Sequence, residues 1–446
     1  MAEQRAQWSS HFGFLMAIIA SAVGLGSIWR FPYLVGSNGG GAFILVYTLI
    51  MLFVGIIGVS VEIAIGRHSQ SDTITSYVRL APKSKPLAYI AIGTSFLLMT
   101  MYSVLGGWVL HYLYLSISGE ITQLDAHHFR HFTQSYQPIF WQFIFIVASA
   151  SILIGGVNKG IERYSIWLNI LLILILFIII GRSLTLPGAM EGVRFLFYPD
   201  FHKLTDANVW LSATGQAFFS MSLGGGVMIT YGGYLDKKSN ILRSSSIAGL
   251  TTIVMALLMG LAIFPALFAM GESPTEGPGL LFNLLPRVFA QMPAGGLFAT
   301  LFFLATFFAA LTSGASLIEP LNASFIQTQK IKRSTGVWLI ALSTFVISLI
   351  LALSQHANSK LLINDITLFD ALNFIIDKLF FPFNALVALI LAGWFWKKRG
   401  IIHELSNQGS LKLPFPKLLW WGIRYILPIL ISWIVLKPFI DYLIKK

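Results

Sequence analysis

The chain has 446 residues, of which 56% are hydrophobic and only 11% carry a charged side chain, with a formal net charge of +12. A soluble domain of this size carries about twice that share of charged residues, so the composition argues against a soluble protein. No cysteine is present, which excludes disulfides, thiolate metal sites and cysteine nucleophiles.

In chain order, long apolar runs predict eleven membrane spans and no soluble domain. We expect a single transmembrane domain over residues 1–446, because the stretches near 116–137, 184–207, 270–295 and 397–415 are too short to fold alone. The first run is too long and glycine-rich for a signal peptide. The predicted spans are roughly 11–35, 41–66, 87–115, 138–156, 164–183, 208–234, 241–269, 296–327, 335–354, 366–395 and 417–438.

The positive charge could indicate a nucleic-acid partner, but its placement indicates the orientation of the chain. Basic residues follow every even-numbered run, such as Lys159 and Arg163 after the fourth and Lys237 and Lys238 after the sixth. Because basic loops stay in the cytoplasm, we expect a multi-pass protein of the cell inner membrane with a cytoplasmic N-terminus. An odd span count then places the C-terminus outside. The expected surroundings are the lipid bilayer, with no nucleic acid.

Two spans contain glycine clusters at mid-membrane, at residues 20–26 and 220–226. Each glycine costs about 1 kcal/mol against alanine inside a helix, and a break is tolerated only where it lines a cavity. The clusters lie five spans apart, so spans 1–5 (about 11–183) and 6–10 (about 208–395) are predicted to form an inverted repeat. The helix at about 417–438 is then peripheral. Paired breaks indicate a transporter binding site, whereas close helix packing is the simpler use of such glycines.

Several motifs resemble the neurotransmitter:sodium symporter family, and especially its bacterial amino-acid branch. They are AVGLGSIWRFP at 22–32, NGGGAF at 38–43, KGIER at 159–163 and the glycine-rich segment 215–226. The resemblance implies an all-α membrane protein with the leucine-transporter-like fold, built from eleven helices as a 5+5 inverted repeat with helices 1 and 6 broken. It also implies sodium-coupled symport of an amino acid by alternating access.

One sodium site is supported by spacing as well as by resemblance. Ala309, Thr312 and Ser313 are spaced i, i+3, i+4, so they share one face of the eighth span. By resemblance they form the family's second sodium site with the carbonyls of Ala20 and Val23, because a hard cation prefers oxygen ligands. Without the resemblance, the two hydroxyls would be expected to bond back to their own helix.

The family's first sodium site is less well matched. It resembles a cage of Ala22, Ser27, Ser220 and Thr252 with the substrate carboxylate, but Ser27 and Thr252 stand where the family usually has asparagine. The seventh span also lacks the acid that some relatives place nearby. A lost cation would remove the need for a counter-anion, so the hypothesis is one working sodium ion, with two left open. A chloride requirement is not expected, although Tyr47, Gln216 and Ser220 still match the family's chloride-site pattern.

The implied substrate site lies between the two breaks. Backbone N–H groups at Leu25 and Gly26 would hold a carboxylate at a half-helix N-terminus, with help from the Tyr102 hydroxyl. Gly24 replaces the aspartate of monoamine carriers, which indicates an amino-acid substrate. The amino group would meet carbonyls near Ala22, Phe219 and Ser222, and Ser220 is assigned here as well. The uncharged side-chain pocket, which favours a neutral and hydrophobic substrate, would comprise Ser21, Leu98, Phe219, Gly225, Ser313 and Leu317.

The resemblance also implies an outer gate. Arg30 is expected just outside the substrate site, with Gln216 and Phe219 nearby. Its usual acidic partner in span 10 aligns with Asn373, so Asp370 or Asp377, on roughly the same face, is expected to replace it.

An inner gate is implied between Arg5 and an acid after span 8, supported by Tyr234. Gln327 occupies the position of that acid, so we expect a weaker gate or one rebuilt with Asp236. Glu62 is expected to cap the broken sixth span. Glu319, which precedes Pro320, is read as structural.

The leading hypothesis is sodium-coupled import of a neutral, hydrophobic amino acid. The alternative is a binding or sensing protein that keeps the fold but transports poorly, which the altered gates and the altered first sodium site suggest. A membrane enzyme lacks any nucleophile–base or metal constellation in the spans. His127, His128 and His131 are read as a solvated cluster in an external loop. A homodimer is left open.

Overall fold

The protein is described here from a computed structural model that covers residues 7–274, 277–356, 359, 361–363, 366–396, 398–413 and 415–444. Its first half contains the helices α1 (His11–Ala22), α2 (Phe31–Ser37), α3 (Gly41–Ile50), α4 (Ile56–Ser69), α5 (Thr73–Leu80), α6 (Lys85–Ile117), α7 (His128–Thr133), α8 (Gln137–Ile154), α9 (Arg163–Leu184) and α10 (Ala189–Phe197). Wider π-helical turns connect some of them, at Gly26–Arg30, Met51–Gly55 and Val157–Glu162.

The second half repeats this helical character. It contains α11 (Ala207–Ser220), α12 (Val227–Gly233), α13 (Ile241–Ala269), α14 (Leu284–Gln291), α15 (Gly295–Gln329), α16 (Arg333–Ser354), α17 (Leu368–Ile375), α18 (Phe381–Ile390), α19 (Lys398–Leu405), α20 (Pro416–Trp421) and α21 (Leu427–Ile444). A short antiparallel pair, β1 (Leu362–Ile363) and β2 (Ile366–Thr367), precedes α17.

Ten of the eleven predicted spans correspond to candidate membrane-spanning stretches in the described residues. Within the described residues, nine helical stretches are long and apolar enough to cross a membrane, and α1 with the helix after it passes the same test as a pair bent by 45°. The sixth predicted span, 208–234, is the exception, because it consists of the two shorter helices α11 and α12. The short helices α7, α10, α14 and α19 lie in stretches that the sequence treats as loops.

The first break separates α1 from the helix that follows. Ser10 caps the start of α1 by accepting a hydrogen bond from the Gly13 N–H at 2.9 Å. The helix ends at Ala22, and Val23 has left helical geometry with ψ of 75°. Helical structure resumes near Gly26 at an angle of 45° to α1. The glycine cluster therefore breaks this segment where the sequence predicts it.

The second break separates α11 from α12. Ser222, Gly224 and Gly226 all have positive φ, at 50°, 89° and 72°, a conformation that glycine adopts at little cost. The Gly224 N–H donates a hydrogen bond to the Glu62 carboxylate at 2.9 Å. Glu62, on α4, thus satisfies backbone that the break leaves without a helical partner, as the sequence predicts.

The two breaks lie side by side in the centre of the bundle. The Ser21 hydroxyl is 3.0 Å from the Ser222 hydroxyl. Around them α15 packs along α6, while α12 packs against α4. The last helices lie at the periphery, where α21 contacts mainly α18 and α11, and α20 contacts α19.

Candidate functional site

A small cavity lies where the two breaks meet. Its lining contains ten of the thirteen predicted substrate residues: Ser21, Ala22, Gly24, Gly26, Leu98, Tyr102, Phe219, Ser222, Ser313 and Leu317. The free volume is about 20 Å³, which is room for about one water molecule. The cavity is therefore closed, with its walls close together. Leu25, Ser220 and Gly225 adjoin this lining without forming part of it.

The polar end of the cavity is formed by Leu25, Tyr102 and Ser313. The Leu25 N–H donates to the Tyr102 hydroxyl at 2.8 Å, and Ser313 lines the cavity beside them. Gly24 lies between them, so closely that an added Cβ would be 2.6 Å from the Tyr102 oxygen and closer still to the Ser313 hydroxyl. Only glycine fits this position in the closed cavity.

A cluster of serine hydroxyls joins the two breaks to α15. The Ser21 hydroxyl lies 2.9 Å from Ser316, as well as close to Ser222. Ser222 also donates to the Ser21 carbonyl at 3.2 Å. Sequence reasoning missed Ser316, although its i+3 spacing from Ser313 places it on the same helix face.

Four of the five residues predicted for the second sodium site are joined by hydrogen bonds. The Ala20 carbonyl accepts from Ser313 at 3.0 Å and from Thr312 at 3.3 Å, and Thr312 also donates to the Ala309 carbonyl at 3.1 Å. Val23 lies three residues beyond Ala20, at the end of α1. The Thr312 hydroxyl also lies 3.3 Å from the Phe308 carbonyl of its own helix, so the bond back to that helix is present, whereas its role as a sodium ligand stays a prediction. The result is a buried cluster of uncharged oxygens.

The residues predicted for the first sodium site are less closely joined. Ser27 donates to the Ala22 carbonyl at 3.5 Å, the limit for a hydrogen bond. The Thr252 hydroxyl donates to the Ala248 carbonyl of its own helix at 2.8 Å. Ser220 accepts instead from Gln216 at 2.9 Å. These contacts form no single oxygen cluster comparable with the one around Ala20.

On one side of the cavity, Arg30 forms an ion pair with Asp377. Both side chains are buried, and the guanidinium lies 4.9 Å from the centroid of the Phe219 ring. Asp370 is not its partner, because it is exposed and bonds to Thr367 at the start of α17. Asn373 is half-buried. Of the candidates that the sequence offers, the structure pairs Asp377 with Arg30.

On the other side, Glu319 is the centre of a buried polar cluster. It accepts from the Tyr234 hydroxyl at 2.7 Å and from Arg333 at 2.5 and 3.1 Å. Trp8 covers this region, with its indole N–H donating to the Tyr231 carbonyl at 3.1 Å.

The predicted inner gate thus differs from the observed contacts. Arg5 lies outside the described residues. Gln327 and Asp236 are exposed, and Asp236 caps the turn at Lys238 with a 3.2 Å bond. From the sequence, Glu319 is interpreted as structural and its ion pair is not predicted, because Arg333 is counted only among the basic residues that set the orientation of the chain. An acid within an apolar span was the available signal.

Comparison with known proteins identifies the family. The model of the sodium:neurotransmitter symporter family matches residues 5–136 and 126–445. An uncharacterized sodium-dependent transporter of Bacillus subtilis, YhdH, is 38% identical over 439 residues, 97% of each chain. An uncharacterized sodium-dependent transporter of Haemophilus influenzae is 34% identical over 447 residues, 96% of this chain and 97% of its own.

A solved structure is similar over nearly the whole chain. It is the crystal structure of MhsT in complex with L-phenylalanine, with a TM-score of 0.90 and 37% identity over 97% of this chain and 99% of that one. The chain belongs to the sodium:neurotransmitter symporter family. It is a sodium-dependent membrane transporter, and the named relatives are transporters and not enzymes.

Proposed function

We propose that the chain imports a neutral, hydrophobic amino acid together with sodium, by alternating access at the central cavity. The observation that carries this proposal is the position of Ser313. Its hydroxyl donates to the Ala20 carbonyl in the oxygen cluster at 3.0 Å, and the same side chain lines the cavity together with Tyr102. One side chain therefore adjoins both the proposed ion site and the proposed carboxylate site.

The substrate class follows from the walls of the cavity. Leu98, Phe219 and Leu317 supply apolar surface, and none of the described lining residues is charged. A zwitterion would direct its carboxylate toward Leu25 and Tyr102 and its amino group toward the carbonyls near Ala22, Phe219 and Ser222. MhsT, whose structure contains L-phenylalanine, supports a large apolar side chain. The cavity would have to expand to admit it.

The proposed fold has eleven spans, with α11 and α12 as a broken sixth span. Residues of about 11–183 and 208–395 would be the inverted repeats, with a cytoplasmic N-terminus and an external C-terminus. We further propose one sodium ion, at Ala20, Val23, Ala309, Thr312 and Ser313. The hydroxyl of Thr252, turned to its own helix at 2.8 Å, supports one ion over two and no chloride requirement.

In the proposed transport cycle, two groups of residues close the cavity and open alternately. Arg30 with Asp377 would open toward the outside, and Glu319 with Arg333 and Tyr234 toward the cytoplasm. The sensing alternative rests on the altered gates and on the altered first sodium site. Asp377 and Glu319 supply acids on both sides of the cavity, which weakens the first of these reasons and favours transport.

The test is uptake by the purified protein in proteoliposomes. Labelled neutral amino acids would be presented with an inward sodium gradient and, as the control, an equal potassium gradient. Accumulation that requires sodium, with a Hill coefficient near one, is expected. Binding without accumulation would favour the sensor, and a coefficient clearly near two would contradict the single ion.

A further inference from the structure

A concave apolar groove lies on the side of the molecule, between α18 and the last helices. Its volume is about 900 Å³, and its walls include Ile390, Trp394, Ile429 and Trp433. Its lining extends from residue 424 to residue 440, which is about 24 Å along a helix at 1.5 Å per residue. This length approaches the roughly 30 Å of bilayer hydrocarbon. The groove is therefore long enough to hold the acyl chain of a lipid.

A single cation, Arg424, lies in this apolar lining. Its guanidinium is 4.4 Å from the ring centroid of Trp394, 4.9 Å from Trp420 and 5.3 Å from Tyr425. The Nε atom is buried without a hydrogen-bond partner. No acidic side chain in the described part of the chain forms an ion pair with it.

An arginine in a membrane span is costly unless it is paired, and cation–π contacts offset only part of that cost. Three aromatic rings hold the guanidinium in place, and its planar fork matches a phosphate. The groove thus joins one cationic end to a long apolar trough. A lipid with one anionic headgroup and long acyl chains has the complementary distribution of charge.

We propose that this groove is a binding site for an anionic phospholipid, phosphatidylglycerol, with its phosphodiester on Arg424 and an acyl chain along Trp433. The segment between α18 and α20 begins with basic residues in sequence, Lys397, Lys398 and Arg399, and basic segments attract anionic lipids. A second copy of the chain fits less well, because its apolar helix would cover the guanidinium without supplying an anion.

Native mass spectrometry of the detergent-purified full chain tests the proposal. Phosphatidylglycerol and phosphatidylcholine with identical acyl chains would be titrated separately. We expect tighter binding of phosphatidylglycerol, and Arg424→Gln should weaken it about fivefold while leaving phosphatidylcholine unchanged. Lys417→Gln is the matched control, since it removes an exposed charge from α20 and should change neither affinity.

A second variant tests the acyl chain separately. Ser432 lines the groove, so Ser432→Phe should fill the trough and weaken both lipids while Arg424 remains. Sodium-dependent stabilisation against heat would show that each variant is folded. The proposal would be overturned if Arg424→Gln and Lys417→Gln lost affinity for phosphatidylglycerol equally, or if inorganic phosphate alone stabilised the protein against heat. It would also be overturned if Arg424→Gln dissociated dimers without any effect on lipid binding.

Discussion

At the scale of single residues, Gly24 decides what the polar end of the cavity can hold. A Cβ there would lie 2.6 Å from the Tyr102 oxygen and press on Ser313. Gly24→Ala should therefore displace Tyr102 from the Leu25 N–H and abolish amino-acid binding, measured by calorimetry on the purified protein.

Gly93→Ala is the control for this substitution. Gly93 lies in α6, where an added Cβ meets no atom within 4 Å, and alanine is the better helix former by about 1 kcal/mol. Binding should be unchanged in Gly93→Ala. Normal affinity in Gly24→Ala would contradict the proposed carboxylate site.

Thr312 offers a separate test of the ion site. Thr312→Val keeps the shape of the side chain but removes one oxygen from the cluster around Ala20. Loss of an interaction with a charged group costs about 1.5–3 kcal/mol, so the sodium affinity should fall ten- to a hundredfold. The measurement is the sodium dependence of thermal stability or of amino-acid binding.

Thr306→Val is the matched control on the same helix. Thr306 is buried, and its hydroxyl bonds only to the Phe302 carbonyl of α15. The sodium affinity of this variant should stay at the wild-type value. An equal fall in both variants would indicate that α15 is perturbed generally, and the proposed site would lose its support.

At the scale of elements, the capping of the second break by Glu62 can be tested separately from the charge of the Glu62 carboxylate. Glu62 accepts from the Gly224 N–H, and a glutamine carbonyl can accept the same bond. Glu62→Gln should therefore be nearly neutral, whereas Glu62→Leu leaves a buried N–H unsatisfied and should cost about 1–3 kcal/mol. Thermal unfolding in detergent measures the difference, and equal midpoints would contradict the capping role.

Most elements could be predicted from the sequence, because the length and hydropathy of a span are local properties. The two breaks could also be located, since clustered glycines mark them. The helices α7, α10, α14 and α19 were missed because they are short and lie between spans, where a search for apolar runs finds nothing. The oxygen cluster around Ala20 was expected only because spacing on α15 and family resemblance pointed to the same residues.

At the scale of the whole molecule, the structure contains a closure on each side of the cavity. Asp377 lies four residues beyond Asn373, so its choice over Asp370 depends on helix rotation that sequence spacing does not fix. Glu319 and Arg333 belong to successive helices, α15 and α16. They meet only after the chain turns between these helices, which no pattern in the sequence encodes.

Because the chain contains no cysteine, the solvent accessibility of an introduced thiol can be measured without background labelling. In Leu98→Cys, a thiol would report on the cavity wall. Adding Glu319→Gln should weaken the inner closure and speed maleimide labelling from the cytoplasmic face, because the buried pair with Arg333 is lost. Labelling rates in inside-out vesicles measure this.

Glu272→Gln is the control for the inner closure. Glu272 pairs with Arg287 at 2.6 Å in a more exposed position, where ion pairs contribute little. It should leave labelling of Leu98→Cys unchanged. Unchanged labelling with Glu319→Gln would remove Glu319 from the proposed gate.

The shared contacts of Ser313 also bear on how energy is exchanged between the two cargoes. Because Ser313 bonds to the Ala20 carbonyl and lines the cavity together with Tyr102, occupation of either proposed site would change the environment of the other. Equilibrium linkage is reciprocal, so the factor by which sodium tightens an amino acid equals the factor by which that amino acid tightens sodium. Across a substrate series, the amino acids whose affinity sodium raises most would therefore be those that raise the affinity for sodium most. With these amino acids bound, sodium would bind at lower concentrations.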